Sequence, residues 1–98
     1  DVRAFEIRGE LAQTDSPRNV RIEITNASNR PQILPLLEVR LLNAADETLA
    51  QRLFEPADYG FVENNVLRAG ETVRVEAELE VDEELPVRGV RVTAVTPI

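Results

Sequence analysis

The side chains able to do chemistry are few in kind. The 98-residue chain holds 18 acidic and 11 basic residues, all of the basic ones arginine, with no histidine and no cysteine. General acid–base catalysis near neutral pH would therefore need a carboxylate moved far from its ordinary pKa. No thiolate nucleophile, disulfide or cysteine-ligated zinc can be built. Ser16 and Ser28 fall in turn-rich stretches, with no imidazole anywhere to activate them, which removes triad-type nucleophilic catalysis. The 4 glycines are scattered singly, so no phosphate-cradling loop is present. The chain reads as a non-enzyme without cofactors.

Two groups of residues keep a binding role open. Glu76, Glu78, Glu80, Asp82, Glu83 and Glu84 form an acidic run. Carboxylates at a strand end can hold calcium, which takes six to eight oxygens, but the spacing matches no EF-hand loop. The competing reading makes Glu76, Glu78 and Glu80 the solvated face of a strand, opposite arginines such as Arg21 or Arg3. Tyr59 and Phe61 flank Gly60 and could form a stacking platform; the plainer role for Tyr59 folds its ring over the core with its hydroxyl hydrogen-bonded. A net charge of −7 argues against nucleic acid and against electrostatic attachment to anionic lipid. No stretch approaches the roughly 20 apolar residues of a membrane helix, so direct insertion is not expected.

The elements that must position these residues are strands. Residues 35–59 read as a central hairpin. Over residues 36–42, Leu37, Val39 and Leu41 alternate with Glu38 and Arg40, a period of two that separates an apolar from a charged face. Asn43 and Asp46 supply the turn. Residues 49–54 alternate poorly, as an edge or bulged strand would, although a short helix competes. Earlier, residues 2–11 give a half-buried strand with Phe5, Ile7 and Leu11 in register. Residues 19–26 give the clearest one, with Val20, Ile22 and Ile24 inward. Residues 27–35 alternate too little for a strand and read as a connection.

Residues 55–70 are irregular, with Val66 and Leu67 returning toward the core and Gly70 at a positive φ. Strands follow at 71–81 and 87–95. The pattern predicts an all-β chain: one immunoglobulin-like antiparallel β-sandwich over 1–98, six to seven strands in a Greek key. The first, second and fifth strands would form one sheet, and the hairpin with the last strand the other. The start at Asp1, without methionine and already strand-like, suggests a fragment of a longer protein or a processed product.

Several segments carry a resemblance: 36–43 (LLEVRLLN), 49–59 (LAQRLFEPADY), 67–71 (LRAGE) and 89–92 (GVRV) with Pro97. Together they resemble the bacterial domain of unknown function found C-terminal to a finger-like zinc ribbon and a single membrane helix, over about 7–97. Residues 52–59 are the most specific part, and Ile24-Thr25-Asn26 is similar to the family's strand ending in asparagine. The aromatic closing strand usual in that family is missing, since residues 93–96 carry no ring.

The resemblance implies an immunoglobulin-like sandwich on the periplasmic side of the bacterial inner membrane, anchored by a helix outside this sequence. It carries over no catalytic residue. It marks Pro35, Arg52, Phe54, Pro56 and Tyr59; the two prolines would fix the entry and exit of the hairpin, while Phe54 and Tyr59 would cover one end of the core. The expected role is a non-enzymatic interaction or spacer module binding a protein partner through a sheet edge or the 55–70 loop. A sheet edge also offers a route to a weak homo-oligomer. The alternative is a small-ligand or calcium-binding module using the acidic strand end with Tyr59.

Overall fold

Alternating side chains become strands wherever one face finds apolar cover. The computed structural model describes residues 2–11, 18–60, 65–82 and 84–95. A 3-10 turn, Val2–Ala4, leads into β1 (Phe5–Leu11), followed by β2 (Arg18–Asn26), β3 (Gln32–Ile33), β4 (Leu36–Leu42) and β5 (Thr48–Phe54). A second 3-10 turn, Pro56–Tyr59, precedes β6 (Val66–Leu67), β7 (Thr72–Leu79) and β8 (Gly89–Val95). All pairings are antiparallel, in three sheets ordered β1-β2-β7, β5-β4-β8 and β3-β6.

The two larger sheets have the membership expected from the alternation. The strand count differs: among the described residues there are eight strands in three sheets, where six to seven in two are expected. The difference lies in β3 and β6, two residues each, too short to show a period. Residues 27–35, read as a plain connection, thus contain a strand. It is held by its pairing with β6 and by the Leu34 N–H donating to the Asn65 carbonyl at 2.7 Å. Residues 2–4 form a turn rather than the start of β1. Residues 49–54 are a strand, not a helix: β5 lies at a sheet edge, with a bulge opposite Leu41 and Leu42.

One apolar cluster takes residues from both larger sheets. Val20, Ile22 and Ile24 of β2 and Leu37, Val39 and Leu41 of β4 are all at most 1% exposed. Leu34, Phe54, Tyr59, Leu67, Ala77, Leu79 and Val87 complete the cluster. A buried aliphatic of this size contributes about 1.5–3 kcal/mol of transfer free energy, so these two central strands supply a large share of the driving force.

Each larger sheet leaves two edge strands, and the fold brings those edges together in pairs. β1 packs against β8, and β5 approaches β7. Gly9 makes the first contact possible: a Cβ there would fall 2.5 Å from Val92 Cγ2. In the turn before β7, Gly70 has φ 76°, which an L side chain adopts only with strain.

Candidate functional site

The pattern residues around the hairpin converge at the β5–β7 side. The turn Pro56–Tyr59 is closed by its own ends: the Asp58 N–H donates to the Glu55 carbonyl at 2.8 Å, and Asp58 Oδ2 accepts from the Glu55 N–H at 2.8 Å. That turn aims Tyr59 inward, where the residue is 5% exposed and its hydroxyl donates to the carbonyl of Pro35 at 2.5 Å. Pro35 is itself buried. Burial pushes the phenol pKa well above its ordinary value, because a phenolate would lose hydration there. Tyr59 therefore stitches the exit of the hairpin to its entry.

Arg52 and Phe54 lie on the inward side of β5, in register with Val39 and Leu37. Phe54 is 2% exposed, whereas Arg52, at the sheet edge, reaches across. Its guanidinium carbon stands 4.6 Å from the Phe54 ring centroid, and Nη1 donates to the Glu78 carbonyl of β7 at 3.3 Å. The irregular alternation of residues 49–54 is thereby explained. An arginine occupies a core-side position because it caps the neighbouring sheet edge.

Of the residues singled out from the sequence, Pro35 and Tyr59 are joined directly, Arg52 and Phe54 stack, and Pro56 opens the turn between them. Phe61 lies outside the described residues. With Tyr59 buried, its ring is not available as a surface platform for a sugar or partner. Nor is 55–70 a free loop, since Tyr59 and Leu67 belong to the core cluster.

The acidic run is spread along β7 and past its end. Glu76 faces Arg21 at 3.9 Å, with both side chains more than 60% exposed, an ion pair worth little. Glu78 lies opposite Asn19. Arg3 sits in the turn before β1, whose neighbour is β2, so it is not the residue opposite these carboxylates. Asp82 Oδ1 accepts from the Glu84 N–H at 2.9 Å, which makes it part of a turn. Glu83 lies outside the described residues, and among those described no three acids converge to hold a metal ion.

Sequence reasoning gave Asn26 no role in the structure. It is 0% exposed and fully bonded: Nδ2 donates to the carbonyls of Arg30 at 2.8 Å and Leu67 at 2.9 Å. Its Oδ1 accepts from the Ser28 N–H at 2.9 Å and the Ser28 hydroxyl at 2.6 Å. Its backbone adds bonds to Glu71 and Gly70. An asparagine closing the most regular strand, one residue before Ala27-Ser28, was the available signal.

Buried polar groups consumed in tying segments together, and carboxylates dispersed over outer faces, define an all-β domain built from antiparallel sheets. The chain belongs to a family described as a protein of unknown function (DUF3426), whose model matches residues 1–94. Comparison with curated proteins and with solved structures gives no match. No helix among the described residues is long and apolar enough to cross a membrane.

Proposed function

We propose that this domain is a non-enzymatic interaction or spacer module, an immunoglobulin-like β-sandwich on the periplasmic side of a bacterial inner membrane. In this reading it is carried by a single membrane helix and accompanied by a zinc ribbon elsewhere in the longer protein. One observation carries the proposal: the polar side chains that are buried or turned toward the core are used for closure. Tyr59 donates to Pro35, Arg52 reaches Glu78, and Asn26 spends its amide on the Leu67 carbonyl and the Ser28 N–H. What faces outward is pleated sheet with side chains presented in rows, a surface suited to docking a protein rather than enclosing a substrate.

The test uses the full-length protein in cells. A periplasm-dependent reporter fused after the domain should be active, and photo-crosslinking residues at exposed positions such as Ala57 and Ala69 should yield discrete protein adducts. An inactive reporter would overturn the placement. Adducts from no surface position would leave only the spacer role.

A further inference from the structure

The two outer sheet faces are charged in opposite styles. On β1-β2-β7, directly opposed residues make rows of alternating sign: Arg8, Glu23 and Arg74, then Glu10, Arg21 and Glu76. Each arginine there has a carboxylate beside it, and Arg74 reaches Glu23 at 3.2 Å. On β5-β4-β8 the corresponding rows are Leu53, Glu38 and Thr93, then Gln51, Arg40 and Arg91. Arg40 thus stands directly opposite Arg91, an arrangement that destabilises an isolated sheet.

The local acid answers only one of the two charges. Glu38 Oε1 forms an ion pair with Arg40 Nε at 2.7 Å, although this buried N–H makes no hydrogen bond. Arg91 is exposed, and among the described residues no carboxylate lies within ion-pair distance of it. Leu53, 51% exposed, adds an apolar neighbour in the adjoining row. A protein of net charge −7 therefore holds two opposed guanidiniums against one carboxylate on this face.

We infer that the outer face of β5-β4-β8 docks an extended acidic segment of a partner protein, with a carboxylate seated between Arg40 and Arg91. The pair then exchanges mutual repulsion for charge-assisted bonds, and Thr93 and Gln51 add hydrogen-bonding groups alongside. The segment follows β4 and β8 rather than the far edge of β5, where Gln51 and Arg52 share a groove with Glu78 and Glu80. The net charge of −7 opposes an extended anionic surface such as a membrane more than one short segment seated locally between two guanidiniums, where salt screens the distant charges. This inference rests on reading the domain as an interaction module and selects its surface.

The test titrates the isotope-labelled 98-residue chain with a synthetic peptide of about ten residues alternating glutamate and threonine, long enough for one strand. Amide shifts should concentrate at Arg40, Gln51, Arg91 and Thr93, and a lysine–threonine peptide should give none. Arg91→Glu places a carboxylate opposite Arg40. It should weaken binding at least about tenfold while the melting temperature holds or rises. Should that variant fail to fold, Arg91→Gln serves, with a smaller loss. Arg74→Glu, on the other face, should bind as wild type.

Shifts centred on Arg8, Arg21 and Arg74, unaltered binding by Arg91→Glu, or no binding at all would overturn the inference. So would displacement of the peptide by phosphatidylglycerol vesicles. If crosslinked partners are recovered but Arg91→Glu leaves them unchanged, this surface is wrong and the interaction reading stands. Absent adducts strike the interaction reading itself, whereas an inactive reporter strikes only the placement.

Discussion

The two places where edge strands meet are closed by different means. At β1–β8 the closure is steric: a missing Cβ at Gly9 lets Val92 lie against the strand. At β5–β7 it is polar and aromatic. Arg52 bonds a β7 carbonyl across the Phe54 ring, and Tyr59 pins the adjacent turn to Pro35. A contact of shape tolerates no added atom but can be restored by removing one elsewhere. A contact of directed bonds tolerates volume changes poorly and chemical changes worse.

The largest effect should come from Phe54→Ala, which empties the centre of the β5–β7 closure. Its cost should be about 3–5 kcal/mol, read from urea unfolding. Gly9→Ala should cost about 1–3 kcal/mol, because Val92 is β-branched and cannot swing away. Val92→Ala in the same chain should recover part of that loss, and an additive double mutant would show that the seam is not held by shape.

Tyr59→Phe leaves the buried Pro35 carbonyl without its donor, for about 1–2 kcal/mol. Its sign with pH is fixed by the raised phenol pKa. Above pH ~10 the unfolded tyrosine ionises while the folded one stays protonated, so wild-type stability is full below that point and falls as pH rises. The phenylalanine variant should lack this alkaline decline. Arg52→Ala should be the mildest change, about 0.5–1 kcal/mol, since its guanidinium is exposed. A loss above 2 kcal/mol would mean that the arginine, not the ring, carries the closure.

Much of the fold was legible because burial on one face writes itself into a period of two. Ile22 and Val39 announce their sheets, and the bulge at Leu49 showed as a fault in the alternation. β3 and β6 did not, because two residues cannot establish a rhythm and their pairing partner lies more than thirty residues away in sequence. The core-side position of Arg52 was hidden for a related reason: its hydrocarbon stem faces inward while its charge answers to β7. Pro35 and Tyr59 were marked as positions but not as a bonded pair, since a hydroxyl-to-carbonyl bond leaves no trace in composition. The opposed Arg40 and Arg91 required the β4–β8 register, which no local pattern contains.

Asn26 determines where this domain can be lengthened. Its amide holds residues 28 to 30 on one side and Leu67 on the other, from a site without solvent. An extra residue inserted between 27 and 30 would shift those carbonyls and strand the amide in a dry interior. The turn of residues 44–47, held by Asn43 on the exposed surface, has no such anchor in the core. Grafts and tags belong there, and evolutionary drift in chain length should gather at that tip while the crossover after β2 keeps its size.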